Sequence, residues 1–322
     1  MTESPEFSRP SPPSRPPGAP ARAPDPGGPR HVGFVALAGI PNVGKSTLVN
    51  RLVGQKVSIV SDRPQTTRER VCGILTDARM QAVLVDIPGI LDPKDKFNQA
   101  LMEWAEVGLR GCALILHLRD ARRPDDPADE PVREMIRRSR KPVWLVWNKI
   151  DRTPGKMFLS GSEGLPYRKV LGLSAKTGRG VPALLDALAE SLPQGELLYD
   201  PEQVCDRELR FLAAELVREK LFRYLGEEIP YATATWTETF DESPPEKVYI
   251  RIVILTEREA HKPIILGDHG AMIKKIGQSA RLEMEKLLGR PVYLDLWVKV
   301  REKWRKNDFQ LAELGLKPPK TY

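Results

Sequence analysis

Residues 39–47 read GIPNVGKST, and this stretch decides how the first half of the chain folds. It follows the apolar run at residues 32–38 and leads into residues 48–52, which have the character of a helix. Glycines allow the backbone to curl so that successive N–H groups point inward, and a helix N-terminus adds the positive end of its dipole. The stretch is therefore typical of a phosphate-binding loop between a buried strand and a helix.

Two side chains of this loop carry the chemistry that a bound phosphate needs. Lys45 is expected to reach the terminal phosphates, and the Ser46 hydroxyl is expected to hold a magnesium ion. The alternative, a glycine-rich turn followed by a surface lysine, is weakened by the strand and helix that flank the loop. The loop residues predicted to bind the nucleotide are Gly39, Asn42, Val43, Gly44, Lys45, Ser46 and Thr47.

Length and composition limit the class of protein. The 322 residues are enough for two domains, and 41% of them are hydrophobic. No apolar run reaches the roughly 18 residues that span a bilayer, and the start lacks the hydrophobic segment of a signal peptide. Three scattered cysteines form neither a disulfide framework nor a metal-ligand spacing, so we expect a cytoplasmic protein. The net charge of +7 makes a polyanionic partner plausible without identifying one.

The pattern along the chain predicts two folded domains. Residues 1–30 hold ten of the thirty prolines and are expected to form a disordered arm. Residues 31–196 alternate short apolar runs with helical segments, which predicts an α/β fold with a doubly wound, mostly parallel sheet. Residues 202–308 follow the order helix, strand, strand, helix, strand, and residues 309–322 form a C-terminal tail that begins with a short helix. The apolar runs of the first domain are residues 34–38, 82–86, 113–118, 143–147 and 170–173.

Two further motifs follow apolar runs, where ligands bind at the carboxyl ends of parallel strands. Asp86 begins a DIPG motif, and its carboxylate can hold magnesium, usually through water, while the Gly89 N–H meets the terminal phosphate. Residues 148–151 read NKID. The Asp151 carboxylate only accepts hydrogen bonds, so it suits N1–H and the N2 amino group of guanine rather than adenine. Asn148 can bond the base edge and the loop, and the Lys149 stem can lie along the base.

Two short segments complete the predicted nucleotide site. Ser174, Ala175 and Lys176 follow the last apolar run, and their backbone N–H groups can meet the guanine O6. In the polar segment QTTR at residues 65–68, a threonine hydroxyl can complete the magnesium shell when the terminal phosphate is present. Thr66 and Thr67 both remain open, and we favour Thr67. The predicted catalytic residues are Lys45, Thr67 and Gly89, and the predicted magnesium ligands are Ser46, Thr67 and Asp86.

Taken together, the GxPNVGKST, QTTR, DxPG, NKxD and SAK motifs resemble those of the Era family of translation-factor-like GTPases. The resemblance covers about half of the chain and implies a P-loop GTPase domain that binds GTP and GDP. It further implies slow hydrolysis and two switch loops, at residues 60–70 and 88–99. It also implies that Asn42 joins in coordinating a potassium ion, with shaping of the loop as the alternative role of that residue.

The residue after Gly89 bears on the rate of hydrolysis. Many GTPases carry a glutamine there that orients the attacking water, whereas this chain has Ile90. Isoleucine cannot orient water, so backbone groups, a switch threonine or a partner must do so. GTPases without a stabilising arginine in place turn over at about 10⁻⁴ to 10⁻² per second, and we expect the isolated protein in this range.

The second half of the chain carries the signature of an RNA-binding module. The loop GDHG at residues 267–270 precedes isoleucines at helical spacing, so its backbone can approach a nucleic-acid strand. The loop and the order of elements resemble an α+β type II KH domain. Residues 262–306 contain eleven basic and five acidic residues, so most of the excess positive charge lies here. The predicted RNA-binding residues are Gly267, Asp268, His269, Gly270, Lys274, Lys275, Arg301, Lys303 and Arg305.

Two residues of this module leave questions open. KH domains usually have a lysine where this chain has Asp268, and a carboxylate there should weaken RNA binding by repulsion. RNA affinity is therefore expected to depend more on His269, Lys274, Lys275 and residues 301–305. Trp304 either stacks on a base or packs in a core.

These observations favour a GTP-dependent switch. The resemblance implies a monomer that binds small-subunit ribosomal RNA near its 3′ end and acts in maturation of the small ribosomal subunit. It also implies weak peripheral contact with the inner face of the cell membrane, although no amphipathic or lipidation signal supports that contact. The rival interpretations are a nucleotide-gated RNA-binding adaptor with vestigial hydrolysis and an ATP-dependent enzyme, which the NKxD motif disfavours.

Overall fold

The structure is a computed structural model that describes residues 30–61, 63, 67–68, 70–89, 96–153, 164–226 and 228–316. The predictions on Gln65, Thr66, Ile90 and nearly all of the N-terminal arm lie outside these residues. The strands are β1 (Arg30–Ala38), β2 (Val71–Thr76), β3 (Met80–Asp86), β4 (Leu114–Asp120), β5 (Val143–Asn148), β6 (Lys169–Gly172), β7 (Gln194–Gly195), β8 (Thr233–Asp241), β9 (Val248–Thr256) and β10 (Val292–Val300). The helices are α1 (Lys45–Val53), α2 (Lys96–Arg110), α3 (Glu130–Ser139), α4 (Val181–Ser191), α5 (Leu209–Tyr224), α6 (His261–Leu266), α7 (Ala271–Leu288) and α8 (Asp308–Glu313).

The first domain is built on a sheet of order β2-β3-β1-β4-β5-β6, with β7 paired to β1. The pairs from β3 to β6 are parallel, whereas β2 and β7 run antiparallel to their neighbours. Alternate residues of β1 serve opposite layers: Val35 and Leu37 pack in the core with α1 and α4, whereas Ala36 and Ala38 pack in the core with α2 and α3. Both faces of the sheet are covered, which explains the continuous apolar runs in the sequence.

The second domain has a three-stranded sheet of order β10-β9-β8. Strand β9 is antiparallel to β8 and parallel to β10, and this mixed pairing agrees with the predicted type II KH order. Ile250, Ile252 and Ile254 alternate along β9 and are fully buried against α5 and α7. The structure therefore contains the helices and strands from which the KH domain was predicted.

Several details differ from the sequence-based expectation. β1 begins at Arg30, one residue before the predicted domain start, and β2 was not predicted at all. The helix expected from residue 202 begins at Leu209, because residues 204–206 bond to β2 instead. The short helix α6 before the GDHG loop was also missed.

The two domains share a small hydrophobic core. Phe97 and Leu101 of α2 pack in one cluster with Trp304, Leu311 and Leu316 of the C-terminal segment. Leu311 and Leu316 therefore anchor residues 309–316 on the folded domains, and only the residues beyond them stay a predicted tail. Within the described part of the chain, none of the helices has the length and apolar character needed to cross a membrane.

Candidate nucleotide site and RNA interface

The phosphate loop lies where β1 ends and α1 begins. Gly44 precedes the helix with φ 103°, in the left-handed region that favours glycine. A Cβ atom on Gly44 would lie 2.3 Å from Nδ2 of Asn148, so a side chain cannot fit there. The loop is thus packed directly against the base-recognition segment, and one glycine makes this approach feasible.

Lys45 is buried at the first position of α1. Its Nζ atom donates hydrogen bonds to the carbonyl oxygens of Gly39, at 3.0 Å, and Ile40, at 3.1 Å. Burial lowers the pKa of Lys45 to about 8, although the nearby Asp86 carboxylate opposes this shift. The ammonium group is held inside the loop, where a phosphate can replace its carbonyl partners.

The three predicted magnesium ligands lie close together. Ser46 Oγ is 3.2 Å from Thr67 Oγ1, so the first switch segment reaches the start of α1. Asp86 is completely buried, and burial raises its pKa while Lys45, Ser46 and Ser58 favour the charged form. Neither carboxylate oxygen of Asp86 accepts a well-formed hydrogen bond from the described residues. An all-oxygen set with an unsatisfied carboxylate fits Mg²⁺.

Gly89 brings the second switch segment against the phosphate loop. A Cβ atom at Gly89 would lie 2.8 Å from Cγ and 3.0 Å from Cα of Pro41. The backbone of Gly89 can therefore approach the phosphate loop at Pro41 only because it has no side chain. Thr66 and Ile90 fall outside the described residues, so their predicted roles stay predictions.

Asn148 connects three loops rather than standing free in the site. Its Nδ2 donates to the Val43 carbonyl at 2.8 Å, and its Oδ1 accepts from the Lys149 N–H at 2.8 Å and the Ala175 N–H at 2.9 Å. Both ends of the amide are therefore used within the protein, and the side chain is buried. Asn148 aligns the phosphate loop with the base-recognition loops.

Lys149 crosses the site with φ 65° and is held at its tip. Its Nζ donates to the Asn42 carbonyl at 2.6 Å and lies 3.0 Å from Oδ2 of Asp120. Burial disfavours the charged Asp120, but hydrogen bonds from Arg122 and Lys149 outweigh it and lower the pKa of Asp120 to about 2. Asp120 was missed, although it ends strand β4 and obeys the same positional rule as the predicted residues.

The base end of the site is formed by Asp151 and the segment 174–176. Asp151 is exposed and lies in a short 3₁₀ turn after β5. Arg51 of α1, also missed, donates through Nε to the Ala175 carbonyl at 3.0 Å and through its Nη2 to the Lys176 carbonyl. This clamp fixes the backbone whose N–H groups were predicted to meet the guanine.

These residues surround one cleft of about 480 Å³. Buried Asp86 lies beside this cleft. The carbonyl of Gly39 accepts a hydrogen bond from Lys45, and the carbonyl of Val43 accepts one from Asn148, so Gly39 and Val43 hold two of the lining side chains in place. The predicted residues that line the cleft are Asn42, Gly44, Lys45, Ser46, Thr47, Thr67, Gly89, Asn148, Lys149, Asp151, Ser174, Ala175 and Lys176. The sequence motifs therefore converge on a single site of nucleotide size.

The GDHG loop presents its backbone to solvent between α6 and α7. Gly267 and Gly270 have φ 73° and 78°, and a Cβ atom on Gly267 would lie 2.6 Å from Cβ of Met272. The side chains of Asp268 and His269 are 94% and 96% exposed. The Asp268 carboxylate thus stands in the solvent in front of the loop, where repulsion of a phosphate backbone was expected.

A groove of about 500 Å³ lies beside this loop, between α7 and β10. Its apolar lining comes from Ile273, Leu294 and Leu296, and Lys274 and Arg281 also line it. An apolar floor with basic edges suits unstacked bases whose backbone runs past the loop.

The other predicted RNA-binding residues lie away from this groove. Lys275 points toward α5, where its Nζ lies 4.6 Å from the centre of the Tyr224 ring. Arg301 pairs with Glu313 and Arg305 with Glu257, beyond the end of β10, and Lys303 is exposed there. Trp304 is fully buried, so core packing, and not stacking on a base, is its role.

Comparisons with known proteins match both domains. A family model described as 50S ribosome-binding GTPase matches residues 34–149, and a KH domain model matches residues 228–305. GTPase Era of Thermotoga maritima is 44% identical over 293 residues, which cover 88% of this chain and 97% of that protein. GTPase Era of Trichlorobacter lovleyi is 41% identical with the same coverage.

The solved structures agree with these relatives. Era of Aquifex aeolicus bound to GDP and AlF₄⁻ matches with a TM-score of 0.85 and 38% identity, covering 89% of this chain and all of that one. Era in complex with MgGDPNP and nucleotides 1506–1542 of 16S ribosomal RNA matches with a TM-score of 0.83 and 37% identity, covering 90% of this chain and all of that one. Because these matches extend over both domains, the chain belongs to the Era family of GTPases.

Proposed function

We propose that this GTPase is a slow molecular switch that binds small-subunit ribosomal RNA near its 3′ end and acts in maturation of the small ribosomal subunit. The observation that carries this proposal is the match, over 90% of the chain, to an Era protein bound to both MgGDPNP and a 16S ribosomal RNA segment. We further propose that the protein acts as a monomer in the cytoplasm. Potassium coordination by Asn42 and peripheral membrane contact stay predictions.

The proposed reaction is hydrolysis of GTP to GDP and phosphate in the cleft. Magnesium, held by Ser46, Thr67 and Asp86, would neutralise charge on the terminal phosphates. Lys45 is buried beside Asp86, so its charge acts at short range on the phosphates without competition from water. The N–H of Gly89 is proposed to bond the transferred phosphoryl group.

Guanine selection is proposed to come from Asp151. Its exposed carboxylate is free of the network that uses both ends of Asn148, and it accepts hydrogen bonds only. Adenine offers a ring acceptor at N1 and a hydrogen at C2, so it would leave the carboxylate unpaired. The N–H groups of residues 174–176, held in place by Arg51, are proposed to contact the guanine O6.

RNA binding is proposed to occur along the GDHG loop and the groove beside it. The exposed backbone of Gly267 and Gly270 would follow the RNA phosphates, and bases would enter the groove over Leu294 and Leu296. Lys274 would supply the nearest charge. Asp268 would subtract from it, so we expect lower RNA affinity than with a lysine at this position.

Four measurements test this proposal. Purified protein should release phosphate from GTP at about 10⁻⁴ to 10⁻² per second and should bind GTP far better than ATP. It should also bind an RNA with the sequence of the 3′ end of its own small-subunit ribosomal RNA more tightly than a scrambled RNA of equal length. Hydrolysis in KCl compared with NaCl tests the role of potassium. Equal affinity for both RNAs would contradict the ribosomal target, and turnover of many per second without a partner would contradict a slow switch.

A further inference from the structure

The first switch segment is attached to the KH domain at both of its described ends. Thr67 contacts Ser46 in the nucleotide cleft, and the next residue, Arg68, lies at the domain boundary. At the other end, Val60 contacts α5 of the KH domain. Both contacts are hydrogen bonds that cross from the GTPase domain to the KH domain.

Arg68 is only 2% exposed and points into the KH domain. Its guanidinium donates to the carbonyls of Pro230, at 3.1 Å, Tyr231, at 3.2 Å, and Thr233. Pro230 and Tyr231 lie in the 3₁₀ turn that leads into β8, and Thr233 is the first residue of that strand. Three carbonyls in one fork fix the direction of the guanidinium, which a lysine ammonium would not do.

The same guanidinium also touches helices from both domains. Its centre lies 5.1 Å from the ring of Phe97, in the first turn of α2, and 5.8 Å from the ring of Phe222 on α5. Arg68 is therefore packed between the second switch side of the GTPase domain and the KH domain. A shift of the KH domain would move the acceptors of Arg68 directly.

Glu219 of α5 holds the other end. One oxygen, Oε2, accepts from the Val60 N–H at 3.1 Å, and the other, Oε1, lies 2.7 Å from Nζ of Lys56 in the same GTPase-domain loop. The Glu219 side chain is 9% exposed, so water screens these contacts only weakly. Lys220 and Glu283 join the cluster, and Glu283 lies on α7, the helix that follows the GDHG loop.

We propose that Arg68 and Glu219 are positioning residues through which the KH domain holds the switch segment so that Thr67 reaches the metal site. Thr67 is one peptide unit, about 3.8 Å, from Arg68, so displacement of Arg68 by 1 Å displaces Thr67 by a similar distance. Misplacement of about 1 Å at a reacting centre can lower a rate about 100-fold. This inference rests on the proposed role of Thr67 as magnesium ligand.

The test is steady-state and single-turnover hydrolysis with three variants, Arg68→Ala, Arg68→Lys and Glu219→Gln. We expect Arg68→Ala to lower kcat about 10- to 100-fold. Arg68→Lys should recover little of this loss, because an ammonium cannot reach three carbonyls. GDP affinity should stay within twofold of wild type in each case, because Thr67 is required only when the terminal phosphate is present.

A double variant separates positioning from general destabilisation. If Arg68 acts through Thr67, then Thr67→Ala combined with Arg68→Ala should have the same kcat as Thr67→Ala alone. Independent, additive losses would overturn the proposal. So would a fall in GDP affinity and melting temperature that accounts for the whole effect of Arg68→Ala.

Matched controls exist within the KH domain. Glu285 accepts from the Arg281 side chain at 2.8 Å and from the Val292 N–H at 3.2 Å, so both of its donors belong to the KH domain. Glu219 also bonds cationic side chains and a backbone N–H, but Lys56 and Val60 among its donors belong to the GTPase domain. Glu285→Gln should therefore leave kcat unchanged, whereas Glu219→Gln should lower it. Equal kcat values for these two variants would overturn the role of Glu219. If wild type hydrolyses GTP and Thr67→Ala does not lower kcat, then the proposed role of Thr67 as magnesium ligand is wrong. This outcome is distinguishable from failure of the positioning roles of Arg68 and Glu219.

Discussion

Replacement of Asn148 by alanine should lower the combined free energy of unfolding and of GDP dissociation. The substitution removes three hydrogen bonds and leaves the Val43 carbonyl and the Ala175 N–H without their partner, in residues that are 1% and 2% exposed. An unsatisfied buried backbone group costs about 1–3 kcal/mol, so the two groups amount to about 2–6 kcal/mol. This total corresponds to a factor of about 30 to 3 × 10⁴ in an equilibrium constant.

The free energy lost in Asn148→Ala is observed either in unfolding or in GDP binding, depending on whether the loops keep their arrangement in the nucleotide-free protein. If the loops keep their arrangement, the free energy of unfolding of the nucleotide-free protein falls by the full amount. If they open to water, that free energy changes less, but GDP must rebuild the loops and its affinity falls instead. The sum of the loss in unfolding free energy and the loss in GDP binding free energy is the same in both cases. The appropriate assay is therefore urea denaturation with saturating GDP and without nucleotide, combined with a GDP titration.

A role of Asn148 in base recognition alone predicts a different outcome. Were Asn148 mainly a reader of the base, Asn148→Ala would leave the nucleotide-free protein unchanged in every loop and reduce only the affinity for guanine nucleotides. Asp151→Ala provides the comparison, because this exposed side chain should affect affinity while the free energy of unfolding stays within about 0.5 kcal/mol. If Asn148→Ala with saturating GDP unfolds at the same urea concentration as wild type, the three hydrogen bonds do not stabilise the GDP-bound protein.

Four further outcomes are expected. Asp151→Ala should reduce the preference for GTP over ATP at least tenfold in competition binding, because guanine then loses the acceptor of its N1–H and N2 amino hydrogens and adenine loses nothing. Lys274→Ala should weaken RNA binding and reduce the salt slope by about 0.7, whereas Lys275→Ala, with the same change of charge, should do neither, as measured by fluorescence anisotropy at several salt concentrations. Because burial lowers the pKa of Lys45 to about 8, GTP affinity should be constant below pH 7 and fall as pH rises above 8, by up to tenfold per unit, and Lys45→Met should abolish this dependence in a binding titration. Trp304→Phe should leave RNA affinity unchanged and lower the free energy of unfolding by about 1–3 kcal/mol, because it removes the 3.2 Å hydrogen bond to the Ala232 carbonyl.

The nucleotide cleft could be predicted because its residues obey one topological rule. Lys45, Asp86, Asn148 and Ser174 each follow a strand of a parallel sheet, and parallel strands bring their carboxyl ends to the same edge. The boundaries of α7 were predictable for a local reason, since Gly270 and Gly289 cap it in left-handed conformations. Asp120 obeys the same rule as the four cleft residues, so it could have been included.

Strand β2 was missed for a reason that the structure makes plain. Gly73 interrupts its apolar pattern, and glycine weakens the prediction of a strand. A Cβ atom at this position would lie 2.6 Å from Val49 and 2.7 Å from Val53 of α1. The glycine therefore serves the packing of a helix about twenty residues earlier in the chain, and no local pattern reports this contact.

The contacts between the two domains could not be predicted from the sequence for a similar reason. Helix α5 buries Arg218, Glu219 and Lys220 in succession, and a run of alternating charges in a sequence usually indicates a solvated helix face. Such charges are buried only where partners pair with them, and here Lys56 and the Val60 N–H come from the other domain. The motifs identify what each domain binds, because a motif is local. How one domain acts on the other depends on charged residues whose pattern looks ordinary until their partners in the fold are known.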